Sequence, residues 1–171
     1  MDLTALIRDV PDFPKPGIVF KDITPLLASP AGLAMAVEAM ANPFRGMGID
    51  RVAGAESRGF IFGTAIAQAL SAGFIPIRKP NKLPAKIRGV KYELEYGTDR
   101  LEVHADAVSP GQRVLMVDDL LATGGTMNAA CNLIKMLRGK IVGITVLIEL
   151  TALSGRKKLA SYGDVHSVIE I

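Results

Sequence analysis

Two adjacent carboxylates and a loop of small residues follow one another in the segment VLMVDDLLATGGT, residues 114–126. The carboxylates, Asp118 and Asp119, come at the carboxyl end of an apolar run that predicts a buried strand. The loop that opens the next predicted helix consists of Ala122, Thr123, Gly124, Gly125 and Thr126. Glycines allow backbone N–H groups to converge on an anion, and a helix N-terminus adds the positive end of its dipole. The segment therefore predicts a phosphate site.

The two aspartates restrict what this phosphate can belong to. Carboxylates repel an anion unless they face hydroxyl groups or a cation, and a ribose diol or a water-bound magnesium ion meets that condition. Loop and carboxylates together indicate a ribose 5-phosphate group. The segment is not a P-loop, because the sequence lacks GxxxxGK[ST], and it lacks GxGxxG as well. The alternative is a helix that starts after a glycine-rich turn, with Asp119 as a solvated cap.

Strands and helices alternate along the chain. Apolar runs predict strands over residues 51–55, 74–78, 112–117, 141–150 and 165–171. Helical patterns occupy residues 60–70, 126–137 and 155–160, and an earlier helix starts at Pro30 after a Ser29 cap. The basic, proline-broken stretch 79–90 predicts a loop, and residues 92–96 and 100–104 predict a hairpin. Central strands that are apolar on both faces indicate an α/β fold, a doubly wound, mostly parallel sheet flanked by helices.

The composition of the chain is that of one globular domain, with 171 residues, 49% hydrophobic and 22% charged. A net charge of +3 without an aromatic-rich basic patch argues against a nucleic-acid partner. Neither a signal peptide nor a membrane-spanning run is present, so no membrane partner is expected. Cys131 is the one cysteine and fits a small buried hydrophobe, which predicts a reducing, cytoplasmic location. His104 and His166 fit structural positions.

The segment VLMVDDLLATGGT resembles the phosphoribosyl pyrophosphate signature of the type I phosphoribosyltransferases, and its LLATGGT form is most similar to the adenine phosphoribosyltransferases. Other segments resemble that family in order: FPKPGIVFKDITPLL (13–27), ESRGFIFG (56–63), RKPNKLP (78–84), LEYGTDRLEVHADA (94–107) and ELTALSGRKKLA (149–160). The resemblance covers nearly the whole chain.

This resemblance implies both a fold and a reaction. The fold is the type I phosphoribosyltransferase fold in a single domain, residues 1–171, with a small N-terminal hood (residues 1–30) and a flexible catalytic loop (residues 79–98). The reaction is purine salvage, in which adenine and 5-phospho-α-D-ribose 1-diphosphate give AMP and diphosphate through oxocarbenium-like transfer at C1′. It depends on Mg²⁺, held mainly through phosphoribosyl pyrophosphate, pyrophosphate and water rather than by protein ligands. A homodimer is expected.

Carried onto the matching positions, the family's phosphoribosyl pyrophosphate site falls mainly on two segments. Asp118 and Asp119 would bind the ribose hydroxyls and help to order magnesium. The backbone amides of residues 122–126 would hold the 5-phosphate. The turn of Glu56, Ser57 and Arg58, after a predicted strand, would contact pyrophosphate with Arg58 as the charged donor, and the resemblance implies that this turn often contains a non-proline cis peptide.

The resemblance also assigns roles to residues near the flexible loop. Arg78, Lys79 and Lys82 form a cationic cluster that would reach pyrophosphate, partly across a dimer interface; solvated loop charges are the alternative. Glu95 would be the general acid/base, because attack by N9 of adenine requires proton transfer on the imidazole side of the purine. Tyr96 would help to close the loop over the site.

Adenine recognition is assigned by the resemblance to the N-terminal segment. Backbone groups of Val19 and Lys21 would contact the edge of the base, with Phe20 packed nearby and Leu150 supporting the opposite face. Many relatives have arginine at the position of Lys21. The change is harmless if only the main chain contacts the base, and it matters if the side chain stacks.

Two other functions compete with this interpretation. A phosphoribosyltransferase for hypoxanthine, guanine, xanthine or orotate is one, and for an oxopurine it would usually need a donor to the 6-oxo group where this chain has the apolar VGITVLIEL. A non-catalytic regulator that senses phosphoribosyl pyrophosphate while binding nucleic acid is the other. It would require a helix-turn-helix extension or a strong basic face.

Overall fold

A parallel sheet forms the centre of the protein in a computed structural model that describes residues 2–94 and 97–171. In chain order the strands are β1 (Arg8–Val10), β2 (Phe20–Asp22), β3 (Arg51–Ala55), β4 (Gly73–Ile77), β5 (Ile87–Glu93), β6 (Thr98–His104), β7 (Arg113–Leu121), β8 (Lys140–Glu149) and β9 (Val165–Glu170). Within the described residues, five of them form the central sheet in the order β4–β3–β7–β8–β9, all parallel. The chain runs outward from β3 to β4 and then returns to the other side of β3. Ligands of such sheets bind at this switch point, beyond the carboxyl ends of β3 and β7.

Helices cover both faces of the sheet. In chain order they are α1 (Thr24–Ala28), α2 (Pro30–Ala41), α3 (Arg58–Ala69), α4 (Gly125–Met136) and α5 (Arg156–Leu159). The predicted cap of α2 is confirmed, because the Ser29 hydroxyl accepts a hydrogen bond from Gly32 N at 3.1 Å. The sequence did not predict α1, since five residues are too few to show a helical period. Over the ranges described, no helix is long and apolar enough to cross a membrane.

Two apolar layers pack against the sheet, one on each face. Alternate residues of β7 point to opposite sides, so that Val114 and Met116 join the layer under α4, whereas Leu115 and Val117 join the layer under α2 and α3. Cys131 of α4 is fully buried in the first layer, and burial raises the pKa of its thiol to about 12. Helices on both faces of a parallel sheet confirm the predicted doubly wound α/β fold.

Strand β7 is longer than the sequence indicated. It was predicted to end at Val117, but it continues to Leu121 because it pairs with β8 as far as Leu121 opposite Glu149. Asp118 and Asp119 therefore lie inside the strand rather than after it. The sheet's hydrogen bonds fix the backbone that carries both carboxylates.

In the part of the chain that the structure describes, two antiparallel hairpins lie outside the central sheet. The first, β1 with β2, belongs to the N-terminal hood. Its strands are joined by two ion pairs between side chains, Arg8 with Asp22 at 2.9 Å and Lys21 with Asp9 at 2.7 Å. The backbone of the predicted adenine-binding segment is therefore part of a paired strand from Phe20 onward.

The second hairpin, β5 with β6, corrects the loop predicted over residues 79–90. β5 occupies the last four residues of that stretch and pairs along its length with β6, which begins at Thr98 in the predicted turn. Gly89 lies within β5. The Arg100 side chain lies across this glycine, where a Cβ would be 2.1 Å from Arg100 Nη2. The glycine is thus a close-packing position within a strand.

Candidate active site

A cleft of about 440 Å³ opens between the carboxyl ends of β3 and β7. The predicted site residues that line it are Phe20, Ser57, Arg58, Asp118, Asp119, Ala122, Thr123, Gly124, Gly125 and Thr126. The structure therefore brings the phosphate loop, the carboxylate pair and the Ser–Arg turn together in one cavity. Its position agrees with the switch point of the sheet.

The phosphate loop, residues 122–126, leads from β7 into α4. Gly124 has a φ of +85°, a left-handed conformation that glycine adopts without the strain of a Cβ. In the described part of the chain no side chain caps α4, so the N–H groups of its first turn remain available at the cleft. A phosphate can accept these hydrogen bonds and lies at the positive end of the helix dipole.

Asp118 and Asp119 hold their carboxylates in different surroundings. Asp119 is 4% exposed, and Arg58 Nε lies 2.9 Å from its Oδ2 without hydrogen-bond geometry, so this oxygen accepts no hydrogen bond from the described residues. Asp118 is half-buried, and its Oδ1 accepts a hydrogen bond from Asp119 N at 2.9 Å. Burial, and next the charge of Asp119, raise the pKa of Asp118 well above its usual range. A hydroxyl donor or a cation in the cleft would satisfy both groups.

The turn between β3 and α3 forms the opposite wall with Ser57 and Arg58. The peptide bond between Glu56 and Ser57 is cis, as the resemblance implied. Glu56, the first residue of the turn assigned to pyrophosphate, also lines the cleft. Its carboxylate accepts a hydrogen bond from Lys79 N, which connects this turn to the residue that follows Arg78 after β4.

The hood reaches the cleft through Phe20. The guanidinium carbon of Arg58 lies 5.0 Å from the centroid of the Phe20 ring, and Phe13 packs edge-on against the same ring with centroids 5.2 Å apart. A cation placed over a ring at this distance is attracted by the ring's negative face. Phe20 and Arg58 thus connect the predicted base side of the cleft to the predicted pyrophosphate side.

The other predicted adenine residues lie outside the lining of the cleft as described. Val19 is 49% exposed in the hood, and the ammonium of Lys21 pairs with Asp9 at 2.7 Å. Leu150 follows β8, where its N–H donates to Leu121 O at 2.9 Å. Since the Lys21 side chain is engaged within the hood, its main chain is the part that it can offer to a base.

The predicted cationic cluster is spread out. Arg78 Nε lies 3.6 Å from a Glu56 oxygen and is buried without a hydrogen-bond partner among the described residues. The ammonium of Lys79 pairs with Asp99, and Lys82 is exposed between β4 and β5. None of the three basic residues lines the cleft in the described part of their own chain, so their contact with pyrophosphate stays a prediction.

Glu95 and Tyr96, the remaining two assignments, lie outside the described residues. Their roles stay predictions. Elsewhere, no group of three or more His, Cys, Asp or Glu side chains in residues 2–94 and 97–171 is arranged to hold a metal ion. Asp118 and Asp119 can contribute two carboxylates, and Mg²⁺ commonly binds through one or two carboxylates together with substrate phosphates and water.

Comparison with known proteins decides the family. The family model for the phosphoribosyl transferase domain matches residues 23–170. The adenine phosphoribosyltransferase of Rhodopirellula baltica is 58% identical over 170 residues, which are 99% of this chain and 82% of that protein. This chain belongs to the adenine phosphoribosyltransferase family. The prediction that it is a transferase is therefore confirmed.

Solved structures of the family share the fold. The adenine phosphoribosyltransferase of Thermoanaerobacter pseudethanolicus superposes with a TM-score of 0.95 at 51% identity, covering 99% of this chain and 98% of that one. The Saccharomyces cerevisiae enzyme, complexed with an imino-altritol 1,6-bisphosphate and adenine, superposes with a TM-score of 0.91 at 36% identity, covering 97% and 96%. The predicted type I phosphoribosyltransferase fold is confirmed along nearly the whole chain.

Proposed function

We propose that the chain transfers a phosphoribosyl group from 5-phospho-α-D-ribose 1-diphosphate to adenine, giving AMP and diphosphate, as a step of purine salvage. One observation carries the proposal: an uncapped helix N-terminus, two carboxylates and Arg58 line a single cleft in the part of the chain described. Membership of the adenine phosphoribosyltransferase family supports adenine over oxopurines and orotate as the base.

The phosphorylated ribose binds between the phosphate loop at one end of the cleft and the carboxylate pair, Asp118 and Asp119, at the other. The 5-phosphate accepts hydrogen bonds from amides of the phosphate loop, and the ribose hydroxyls donate to Asp118 and Asp119. Asp119 Oδ2 is buried beside Arg58 Nε and accepts no hydrogen bond from the described residues, so it would gain one from such a donor. Ribose and phosphate are therefore held from opposite sides, which fixes the orientation of C1′.

Departure of pyrophosphate leaves positive character on the ribose, so the site must neutralise the leaving anion. Arg58 at the turn supplies the charged donor that lines the cleft, and Arg78 Nε, 3.6 Å from a Glu56 oxygen, is buried without a hydrogen-bond partner among the described residues. Lys79 and Lys82 add charge if they move from their present positions. Mg²⁺, when bound with the substrate beside Asp118 and Asp119, would further neutralise the pyrophosphate oxygens.

Adenine binds on the hood side of the cleft in this proposal. Phe20 packs near the base, the main chain of Val19 and Lys21 contacts its edge, and Leu150 supports the other face. Phe20 already lines the cleft, and the ion pairs between β1 and β2 stiffen the backbone beside it.

Proton transfer and water exclusion are assigned to the segment 79–98. Glu95 carries a proton near N7 of the purine, and Tyr96 helps the segment to cover the site. Closure matters because water would intercept the oxocarbenium-like ribose. Glu95→Ala should therefore reduce kcat far more than it weakens phosphoribosyl pyrophosphate binding. Unchanged turnover in this variant would remove Glu95 from the mechanism.

Assembly and location complete the proposal. A homodimer would allow Lys79 or Lys82 of one subunit to approach the cleft of its partner, in keeping with the exposure of Lys82. Sedimentation velocity tests this assembly. The cytoplasmic location stays a prediction that rests on a single cysteine in the sequence.

The proposed reaction is tested by measuring pyrophosphate release from phosphoribosyl pyrophosphate and Mg²⁺ with each nucleobase offered separately. Adenine should give AMP and pyrophosphate in equal amounts. Hypoxanthine, guanine, xanthine and orotate should give at most a hundredth of that rate. Faster turnover with any of the other four bases would contradict the assignment of adenine, and no turnover with any base would contradict the reaction itself.

A further inference from the structure

The outer side of the phosphate loop lies directly on the backbone of Gly155. A Cβ added to Gly124 would be 2.6 Å from Gly155 O, and a Cβ added to Gly155 would be 2.3 Å from Ala122 O. Distances this short leave no room for a side chain between the two segments. The amides that face the phosphate on one side are thus supported on the other by the main chain just before α5.

The position of Gly155 is in turn fixed by its neighbour Arg156, whose guanidinium donates to four acceptors on β8 and β9. Its Nε donates to Glu149 Oε1 at 3.1 Å, and its Nη2 donates to Glu149 Oε2 and lies 3.1 Å from Ser167 Oγ. Its Nη1 donates to Val165 O at 2.5 Å. This two-pronged contact with one carboxylate orients the arginine more strictly than a single ion pair.

Glu149 anchors the arrangement to the strand that carries the site. It is 4% exposed and is the last residue of β8, in register with Leu121 at the end of β7. It also accepts a hydrogen bond from the Ser167 hydroxyl of β9. The Glu149 carboxylate is buried and bonded within two neighbouring strands, so its position is fixed. Through its ion pair with Arg156, it therefore fixes the position of α5 relative to the phosphate loop.

We propose that Glu149 and Arg156 are positioning residues for the phosphate loop: through Gly155 they set the geometry of the amides that bind the 5-phosphate of the substrate. This inference rests on the proposed function of the cleft. Neither residue lines the cleft as described, so both act through the loop and not by contact with substrate. The 5-phosphate is remote from C1′, so loosened amides weaken binding of substrate and transition state alike.

The chain offers a matched control for the Glu149–Arg156 pair. Arg45 makes the same set of contacts with Glu38, through Nε at 3.3 Å and Nη2 at 2.6 Å, and its Nη1 donates to a backbone carbonyl, Ala69 O, at 3.1 Å. Neither of these residues lines the cleft as described. Arg156→Gln and Arg45→Gln therefore remove the same pattern of arginine hydrogen bonds beside the loop and away from it, although the Glu149 side chain is 5% exposed and the Glu38 side chain 58%.

Steady-state kinetics with adenine and phosphoribosyl pyrophosphate separate positioning from general stability. For Arg156→Gln we expect the KM for phosphoribosyl pyrophosphate to rise at least tenfold, with kcat within threefold and the KM for adenine within twofold of wild type. In Arg156→Lys the KM for phosphoribosyl pyrophosphate should still be at least fivefold above that of wild type. The ammonium keeps the charge, but it lacks the two parallel N–H donors with which the guanidinium binds Glu149. Arg45→Gln should leave all three constants within twofold.

Each outcome bears on the inference separately from the reaction. If wild type forms no AMP, the proposed function is contradicted. If wild type is active and the KM of Arg156→Gln for phosphoribosyl pyrophosphate is within twofold of the wild-type value, only the positioning role is overturned. Equal KM changes in Arg156→Gln and Arg45→Gln overturn it as well. If Arg156→Gln does not fold, Ser167→Ala keeps the ion pair and removes one hydroxyl from Glu149; we expect a two- to fivefold rise in KM, and no rise overturns the inference.

Discussion

Arg58 lies 2.9 Å from Asp119, measured from Nε to Oδ2, while its guanidinium covers the ring of Phe20. One side chain therefore contacts the hood, the carboxylate pair and the turn assigned to pyrophosphate. A flat guanidinium can pair with a carboxylate and stack on a ring at the same time, which a lysine ammonium cannot do equally well.

Replacement of Arg58 should affect both catalysis and stability. Arg58→Gln leaves the nearly buried Asp119 carboxylate without a cation, so we expect the free energy of unfolding to fall by about 1–3 kcal/mol. kcat/KM for phosphoribosyl pyrophosphate should fall at least about 100-fold, the lower end of the range found when one transition-state hydrogen-bond donor is removed. Urea unfolding and steady-state kinetics measure the two effects. Arg138→Gln, an exposed change beyond α4, serves as control; wild-type kinetics in Arg58→Gln would exclude Arg58 from the site.

The Asp118 carboxyl should make stability depend on pH. Its folded-state pKa is raised above the usual 3.8 by burial and next by Asp119. In the pH window between these two pKa values the folded state binds more protons than the unfolded state, so stability falls as pH rises through it. Asp118→Asn removes this dependence. The variant should gain in Tm relative to wild type from pH 4 to pH 7.

Activity provides the second readout for Asp118→Asn. Loss of a charged acceptor for a ribose hydroxyl should lower kcat/KM for phosphoribosyl pyrophosphate roughly 10- to 100-fold, in line with about 1.5–3 kcal/mol for such a hydrogen bond. Thermal scans at several pH values, together with kinetics at pH 7, test both effects. A difference in Tm that stays constant across this pH range would contradict the titration of Asp118.

The pairing of Lys79 with Asp99 should compete with pyrophosphate for the lysine. The hydrogen bond from Lys79 is the largest effect that lowers the pKa of Asp99, so this pairing stabilises the fold above pH 4 and is lost as pH falls through the lowered pKa. Asp99→Asn frees the ammonium. Pyrophosphate binding, measured by calorimetry, should tighten two- to fivefold, as expected from a surface ion pair worth up to about 1 kcal/mol. Weaker or unchanged binding would argue against a role of Lys79 at pyrophosphate.

Gly124 should tolerate no side chain. Alanine at its φ of +85° is strained by about 1–2 kcal/mol, and the added Cβ would also meet Gly155 O at 2.6 Å. Gly124→Ala should therefore lower the free energy of unfolding by more than 2 kcal/mol and abolish detectable AMP binding. Denaturant titration and AMP calorimetry measure these effects. Gly111→Ala shares the positive φ but has open space around it, so it isolates the backbone strain from the clash.

The lining that residues 118–126 give the cleft could be predicted because its determinants are contiguous in sequence. An apolar strand, two acids and a glycine-rich helix start occupy residues 114–126, and local physics relates them to one another. The length of β7 could not be predicted from the same stretch. Two adjacent aspartates suggest a strand end, but pairing with β8, a tertiary contact, carries the strand on to Leu121.

Contacts between segments that are far apart in the chain could not be predicted from local sequence pattern. The resemblance assigned Phe20 and Arg58 to different parts of one substrate, yet no periodicity places the ring of one under the guanidinium of the other. Gly155 was likewise predicted only as the first residue of a short helix. Its role as the support of the phosphate loop depends on the packing of two backbones that are far apart in the chain.

The rate at which the buried thiol of Cys131 is chemically modified reports opening of the fold. With the side chain inaccessible and its pKa near 12, an alkylating or disulfide reagent at pH 8 meets almost no reactive thiolate until α4 leaves the sheet. The labelling rate therefore counts unfolding events rather than surface chemistry. Because AMP binds only the folded form in this account, saturating AMP should slow labelling at least tenfold, and one cysteine per chain makes each modified molecule a single recorded event.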